Sequence, residues 1–382
     1  MKYDEAAKKE LARRELARRS YKHFLAYTNG DSWRATRMSS FLADEVQKFI
    51  ETDYGHSYDI LVIEAPPQHG KSVTVTESLG AWYLGRNPTH NVIIASYDSD
   101  FAEKFCRRTK EKIRSCGKNV FGIEIGAIDR AGEFELSNGK GRLISRGLMS
   151  GITGNAANLV IIDDPVKNQQ EADSPTYRSR VWAEWQASIK TRLAAKGKVI
   201  IIMTPWRDDT LSEAVIKSEP NSRLLRLPVE AEENDPLGRQ PGEPLCPELG
   251  KDAQWLRDFK ASYISDPQGG QRAWTAMYQC SPRTEEGNLV KREWWRFYVP
   301  RHEAVGRSAE TVEGGATSSL RAAAYGLRPY ELTLEPDNYA SELISVDASF
   351  KGEETSDFVS IQVWGKLGQD YYLALGGETG LD

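Results

Sequence analysis

The chain lacks the features that would place it in a membrane or in an oxidising compartment. Its 382 residues include 4 cysteines, none of them in a Cys-x-x-Cys or Cys/His spacing, so we expect neither a disulfide framework nor a metal cluster. It has no run of about 18 apolar residues. The basic N-terminus lacks the apolar core and the cleavage site of a signal peptide. We therefore expect a soluble, intracellular protein with no membrane partner.

A strong net charge and an internal repeat are also missing. The formal net charge is -5, which neither predicts nor excludes a polyanionic partner, because phosphate binding depends on local basic surface. The charge divides unevenly, since residues 1–200 carry 31 Lys and Arg against 25 Asp and Glu, whereas residues 201–382 carry 19 against 30. We therefore expect a polyanionic partner, if there is one, to bind the first half.

The N-terminal segment is rich in helix-forming and basic residues. Residues 3–27 predict a single helix with Leu11, Leu16, Phe24 and Leu25 on roughly one side. Two interpretations remain open: a solvated helix with charge pairs one turn apart, and a docking arm for DNA or another subunit.

Short apolar, β-branched runs alternate with helical stretches from residue 59 onward. They predict buried strands over 60–64, 91–96, 143–146, 159–163 and 199–203. Fully apolar strands separated by helices are typical of a mainly parallel sheet that is covered on both faces, so we expect an α/β domain. Near residue 230 the chain becomes acidic and rich in Pro and Gly, which predicts a boundary. Gly and Ser cluster again over 306–319, and three antiparallel strands are expected over 343–347, 358–364 and 371–375.

A phosphate-binding loop is the strongest local signal. The predicted strand 60–64 leads into a tight loop and then a helical stretch, an arrangement that directs backbone N–H groups and the positive helix end at one point. Lys71 would neutralise charge between the β and γ phosphates of ATP, and Ser72 would offer its hydroxyl to Mg²⁺. Ala65 replaces the usual first glycine. The expected nucleotide-binding residues are Pro67, Gln68, His69, Gly70, Lys71, Ser72 and Val73.

Two acids lie at the end of the predicted strand 159–163. Asp163 and Asp164 would lie at the edge where parallel sheets bind ligands. Asp163 could hold the water shell of Mg²⁺, while Asp164 could orient the attacking water or accept its proton. Asp164 is shorter than the glutamate more usual in hydrolytic ATPases. A helix cap or a turn before Pro165 is the alternative interpretation.

Further candidates are a hydroxyl and two arginines. Thr204 ends the predicted strand 199–203 and could sense the γ-phosphate, or else it caps the turn before Pro205. Arg142 and Arg146 lie beside a stretch of small residues and could bring positive charge to a γ-phosphate, in the same subunit or across an interface. Contacts to DNA phosphates and simple solvation are the alternatives for both arginines.

These elements, in this order, resemble the large terminase subunit of tailed bacteriophages. The resemblance covers most of the chain from about residue 35 and rests on segments 66–72, 147–154, 160–165, 203–206, 278–282, 287–294 and 346–348. It implies a P-loop ATPase domain that drives double-stranded DNA into a procapsid, followed by a nuclease domain similar to ribonuclease H that cuts concatemeric DNA. It also implies a homo-oligomeric ring on a portal protein, a small terminase subunit as partner, and a location in the host cytoplasm.

The resemblance also assigns roles and segments. Lys71, Ser72, Asp163 and Asp164 match the residues for ATP and Mg²⁺, Thr204 matches the coupling position, and Asp347 matches the first nuclease metal ligand. The expected segments are a basic helical arm over 1–34, the ATPase domain over 35–230, a linker or lid over 231–340, and the start of the nuclease domain over 341–382.

The nuclease expectation has a physical basis of its own. A two-metal mechanism needs several carboxylates around two Mg²⁺ or Mn²⁺ ions about 4 Å apart. Asp347 at a strand end suits the first ligand, and Asp357 is either a helper or a turn residue. Because only 36 residues follow Val346, and a domain usually needs at least about 50, we expect an incomplete nuclease that does not cleave DNA alone.

Two other classes of function share parts of this pattern. A nucleic-acid helicase or remodelling ATPase would have the same loop and acids, but it normally adds a second basic lobe, whereas residues 230–382 are acidic. A non-enzymatic binding module would leave Lys71, Asp163 and Thr204 unexplained together.

Overall fold

The structure is a computed structural model of the whole chain. It describes residues 2–30, 33–152, 156–267, 269–282, 298–299, 333–334, 341–347, 359–367 and 370–379. These fall into two compact units, Met1–Glu286 and Gly287–Asp382, each of which is described by itself.

The first unit is built on an eight-stranded sheet. Its strands are β1 (Tyr58–Glu64), β2 (Asn91–Ser96), β3 (Ile125–Arg130), β4 (Glu133–Leu136), β5 (Arg142–Gly147), β6 (Ala157–Asp163), β7 (Leu193–Met203) and β8 (Ser222–Arg226). Their spatial order is β3-β4-β5-β2-β6-β7-β1-β8. The neighbours from β5 to β8 pair in parallel, and only β3, β4 and β5 pair antiparallel, at one edge. The predicted α/β class with a mainly parallel sheet is therefore confirmed.

Helices connect and cover these strands. The α-helices are α1 (Lys2–Arg19), α2 (Tyr21–Asn29), α3 (Arg37–Glu51), α4 (Lys71–Thr74), α5 (Thr76–Arg86), α6 (Ser99–Lys112), α7 (Lys118–Phe121), α8 (Gln169–Asp173), α9 (Pro175–Glu184), α10 (Leu211–Ser218), α11 (Ala253–Ile264) and α12 (Gly270–Ala273). Short π-helical turns lie at Ile113–Gly117, Trp185–Ile189 and Trp274–Tyr278, and 3₁₀ turns at Leu148–Ser150, Lys190–Arg192 and Pro247–Leu249. None of the helices in the described part of the chain combines the length and the apolar character that crossing a bilayer needs.

The central strands are apolar throughout because both faces of the sheet are covered. Ile63 and Ile202 pack into one core with residues of α2, α3 and α5. Val62 and Ile201, their chain neighbours, point to the opposite face and pack with Val181 and other residues of a second core. Burying one such side chain contributes about 1.5–3 kcal/mol. Two cores on one sheet explain why these runs do not alternate with polar residues.

The N-terminal segment differs from the single helix expected over 3–27. Ser20 adopts an extended conformation and its hydroxyl accepts the His23 N–H, so the chain forms two helices that meet at this residue. Phe24 and Leu25 are buried in the core of the sheet domain. Leu11 and Leu16, expected on the same side, are exposed by 62% and 47%. The break at Ser20 separates the buried pair from the exposed pair.

The second unit contains five described strands. β9 (Tyr298–Val299) pairs in parallel with β10 (Thr333–Leu334). β11 (Ser341–Asp347), β12 (Val359–Leu367) and β13 (Asp370–Thr379) pair antiparallel in that order. The three antiparallel strands predicted from the sequence are confirmed, with longer bounds. Asp357 and segment 287–294 lie outside the described residues.

Candidate functional site

A tight loop joins β1 to α4 at the carboxyl end of the parallel strands. Gln68 and Gly70 both adopt positive φ, 57° and 83°, and Gly70 takes this left-handed conformation at no steric cost because it has no Cβ. The expected helix after the loop is present as α4 and α5, which are separated at Val75. All the expected loop residues except His69 line a cavity of about 340 Å³.

Lys71 is buried at the start of α4, and its side chain reaches across two neighbouring strands. Its Nζ donates to Oγ1 of Thr204 after β7, and it lies 3.2 Å from Oδ1 of Asp164 after β6. The side chain of Lys71 is only 6% exposed and that of Asp164 is 29% exposed, so solvent screens this ion pair less than it screens a surface pair. The structure therefore brings together three residues that are up to 133 positions apart in the sequence.

Asp163, the last residue of β6, is fully buried and receives two hydroxyl groups. Ser72 Oγ donates to its Oδ1 at 3.2 Å, and Thr76 Oγ1 donates to its Oδ2. Burial, together with the negative charge of Asp164, raises the pKa of Asp163. A buried carboxylate beside a hydroxyl is a hard oxygen donor set, and Mg²⁺ in nucleotide sites needs only one or two carboxylates besides the phosphates. These residues therefore fit Mg²⁺.

Thr76 was missed by the sequence interpretation. It follows Ser72 by four positions, the spacing that places two residues on one helical face, so its approach to Asp163 could have been anticipated.

Asp164 faces the cavity in a strained backbone conformation. Its φ is 42°, unusual for a residue with a Cβ. Its Oδ1 accepts the backbone N–H of Thr204 at 2.9 Å, in addition to the contact with Lys71. The cap of the following helix α8 is Asn168. The side chain of Asp164 is therefore available to the cavity instead of capping that helix, and backbone strain of this kind is concentrated at functional sites.

Arg142 and Arg146 lie elsewhere in the first unit. Both are in β5, and neither belongs to the lining of this cavity. Both contact the carboxylate of Glu133, Arg142 directly and Arg146 at 3.5 Å. The expectation that either arginine serves the nucleotide of its own subunit is therefore not supported, because both are directed to Glu133 on the antiparallel edge. A role across an interface stays a prediction.

Several residues that line the cavity belong to no recognised sequence motif. The cavity is also lined by Tyr97, Val166, Lys167, Trp206 and Met277. Tyr97 directly follows β2, and Val166 and Lys167 follow the paired acids, so strand ends could have indicated these three. Met277 comes from the π-helical turn Trp274–Tyr278, and nothing in the sequence predicts its place here.

The phosphate loop is held from outside by the segment before and within α11. Lys251 Nζ donates to the carbonyl oxygen of Gln68 at 2.6 Å, although the two residues are 183 positions apart. His69 is buried on this side, with its ring 6.2 Å from that of Trp255 in an edge-to-face contact. Burial, reinforced by the charge of Lys251, lowers the pKa of His69 to about 4. The imidazole is therefore neutral at pH 7.

The second unit holds one further predicted site residue. Asp347 is the last residue of β11, in agreement with its predicted position at a strand end. Its role as a metal ligand stays a prediction. Among the side chains that the structure describes, no group of three or more from His, Cys, Asp and Glu is placed to hold a metal ion.

Comparisons with solved structures return phage terminases at low identity. The large terminase of a thermophilic bacteriophage is 10% identical and covers 85% of this chain, with a TM-score of 0.34. The HK97 large terminase is 10% identical and covers 82%, with a TM-score of 0.39. The ATPase domain of the Thermus phage P74-26 large terminase is 16% identical and covers 63% of this chain and 98% of its own length, with a TM-score of 0.37. This chain spans 64% of the first protein and 58% of the second.

The sequence comparison is more decisive. No curated protein matches the chain. The family described as terminase large subunit, T4likevirus-type, N-terminal, matches residues 62–297, which include the phosphate loop, the paired acids and Thr204. That match covers more than half of the sequence, and so the chain belongs to the family of terminase large subunits.

Proposed function

We propose that this chain is the ATPase of a viral DNA-packaging motor, which hydrolyses ATP with Mg²⁺ and moves double-stranded DNA into a procapsid. The observation that carries the proposal is the convergence of Lys71, Asp163 and Asp164 at one end of neighbouring parallel strands. Family membership supports the same function.

Each converging residue has a distinct role in this proposal. Lys71 binds the β and γ phosphates through its ammonium group, and Ser72 and Asp163 hold the metal. Held by these two residues, Mg²⁺ would supply positive charge against the negative charge that develops on the phosphates during hydrolysis. Asp164 orients the attacking water and accepts its proton, for which its carboxylate already faces the cavity.

Thr204 is proposed to couple hydrolysis to movement. Its hydroxyl accepts from Lys71 and its backbone N–H donates to Asp164, so it contacts both the phosphate-binding cation and the proposed base. A displacement of either Lys71 or Asp164 during hydrolysis would therefore act directly on the segment after β7.

The wider assembly follows from the resemblance to the family. We propose a ring of identical subunits on a portal protein in the host cytoplasm, with a small terminase subunit as partner. Arg142 or Arg146 would act on the nucleotide of a neighbouring subunit. Asp347 would bind Mg²⁺ or Mn²⁺ in a nuclease similar to ribonuclease H.

The test is the replacement Lys71→Ala, with Lys110→Ala as the matched control. Lys110 is also buried and ion-paired, at 2.9 Å from Asp129, and Arg114 remains beside Asp129 when Lys110 is removed. We expect Lys71→Ala to lower DNA-stimulated ATP turnover at least about a hundredfold, as loss of a charge-stabilising donor does in other sites. Lys110→Ala should keep its turnover. Undiminished hydrolysis by a folded Lys71→Ala protein would contradict the proposal.

A packaging assay distinguishes this function from that of a helicase. Incubated with procapsids, portal protein and linear double-stranded DNA, the chain should protect DNA from nuclease digestion in an ATP-dependent manner. It should not displace one strand of a partial duplex. Strand displacement without packaging would favour the helicase.

A further inference from the structure

The cavity is lined by two lysines and one carboxylate. Lys71 and Asp164 form an ion pair with each other. Lys167 is the second lysine of the lining, and among the described residues no carboxylate lies within ion-pair distance of its ammonium group. The lining therefore carries one more ammonium group than carboxylates, which suits an anionic ligand.

The backbone of Lys167 is fixed at the start of α8. Its N–H donates to Oε2 of Glu171 at 2.9 Å, and Glu171 in turn donates its own N–H to the capping residue Asn168 at 3.0 Å. The preceding residue, Val166, is buried. The Cα of Lys167 is thus held in place although its side chain is exposed.

The side chain of Lys167 is held along the cavity by an aromatic ring. Its Nζ lies 5.9 Å from the ring centre of Tyr97, within the range of a cation–π interaction. Tyr97 is stacked on Phe101, with ring centres 5.1 Å apart. Tyr97 also lines the cavity, so this contact places the ammonium group beside the cavity.

The strand order tells which end of the cavity Lys167 occupies. Going along the sheet from β1 through β7 and β6 to β2, the residues after the strand ends are the phosphate loop, Thr204, Asp164 and Tyr97. Lys167 therefore lies beyond Asp164, at the end opposite the phosphate loop. A nucleotide whose phosphates extend from the loop towards Asp164 would present its terminal phosphate to this end.

We propose that Lys167 binds the terminal phosphate of the nucleotide as a second cation from the same chain. This inference rests on the proposed ATPase function and identifies a substrate-binding residue for it. A terminal phosphate carries its charge on three non-bridging oxygens, and Lys71 approaches it only from the side of the loop. Lys167 would supply from within the subunit the charge that Arg142 and Arg146 do not bring to this cavity.

The experiment measures the affinity of the full chain for ATPγS and for ADP with Mg²⁺. We compare the wild type with Lys167→Ala, with the charge-conserving Lys167→Arg, and with Lys104→Ala. Lys104 is the matched control because its Nζ lies 5.3 Å from the ring centre of Phe101, in the same aromatic stack, and yet it does not line the cavity.

We expect Lys167→Ala to weaken ATPγS binding about tenfold or more, the usual effect of losing a hydrogen bond to a charged group, and to change ADP binding by less than about twofold. Lys167→Arg should restore most of the ATPγS affinity. Lys104→Ala should bind both nucleotides as the wild type does. Retained ADP binding also shows that the variant is folded.

Two results would overturn the inference. One is equal binding of ATPγS by the wild type and Lys167→Ala. If binding is equal and only the stimulation of ATP turnover by DNA falls, Lys167 contacts DNA and not the nucleotide. The other is an equal loss for ATPγS and ADP, which would mean a general effect on the pocket. If instead the wild type binds no nucleotide and Lys71→Ala changes nothing, the proposed function itself is wrong.

Discussion

Two charged clusters on the same sheet differ in whether they face a cavity. In the first, Lys71 and Asp164 pair at the ends of parallel strands and line a cavity. In the second, Glu133 is buried between Arg142 and Arg146, away from that cavity. Arg146 also donates to the carbonyl oxygens of Gly132 and Ser145, at 2.9 Å each. The comparison indicates that, within one subunit, charges satisfied along an antiparallel edge hold structure, whereas charges facing a cavity can serve a ligand.

The register of the antiparallel edge explains the second cluster. Glu133 of β4 lies opposite Ile144 of β5. Arg142 and Arg146 are two residues to either side of Ile144, so all three of these residues of β5 point to the same face. Diagonal neighbours across two strands are within reach of long side chains. Glu133 therefore contacts both arginines.

The largest expected effect concerns the first cluster. Asp163→Asn should reduce ATP turnover at least about a hundredfold, because it removes the buried carboxylate that the proposed metal needs. Its thermal stability should hold or rise, since burial already disfavours the charged form of Asp163. Turnover and thermal unfolding measured on the same preparation test both statements. A folded variant with normal turnover would remove Asp163 from the site.

How far the sequence predicts this site depends on side-chain length. Asp163, Asp164 and Thr204 are short, so their positions follow from the strand ends that apolar runs predict. The long side chains of Arg142 and Arg146 can reach several possible partners, and only the register of β4 and β5 decides that both contact Glu133.

Contacts between distant segments were beyond the sequence interpretation. Lys251 reaches the phosphate loop from 183 positions away, and no local pattern marks it. The break of the N-terminal helix could have been predicted, because Ser20 is a favoured N-cap residue in a stretch otherwise rich in helix formers. Periodicity thus predicts elements and their ends, whereas tertiary packing decides which long side chains meet.

A second prediction tests the structural role of the arginine cluster. Glu133→Gln should lower the free energy of unfolding by about 2 kcal/mol, because it removes a buried charge and leaves its partners partly unsatisfied. ATP turnover per folded molecule should stay normal in the isolated subunit, where no neighbouring subunit is present for the arginines to act on. Denaturant unfolding and turnover assays measure the two effects.

Glu124→Gln is the control for this change. Glu124 pairs with Lys118 at 3.2 Å on the surface, and its side chain is 56% exposed, so its loss should cost less than about 0.5 kcal/mol. If turnover of the isolated subunit fell as much for Glu133→Gln as for Asp163→Asn, the two clusters would not differ in role, and the arginines would serve the active site of their own subunit.

The smallest expected effect concerns His69, a buried neutral group of the phosphate loop next to the first cluster. Nδ1 of His69 lies 2.8 Å from the carbonyl oxygen of Pro67, which only accepts, so Nδ1 donates and Nε2 carries no proton. The pKa of His69 is lowered to about 4 by burial, whereas an unfolded histidine has a pKa of about 6.5. Below about pH 6.5 the unfolded chain therefore binds a proton that the folded chain does not, and stability falls as the pH falls towards 4.

His69→Gln should remove this pH dependence, because a carboxamide does not titrate. Between about pH 7.5 and pH 5.5 the wild type should lose about 1 kcal/mol more unfolding free energy than His69→Gln. His23→Gln, at an exposed position, should follow the wild type. Parallel losses in the wild type and His69→Gln would mean that the imidazole titrates alike in both states. The neutral packing of His69 against Trp255 would then have no part in holding the phosphate loop.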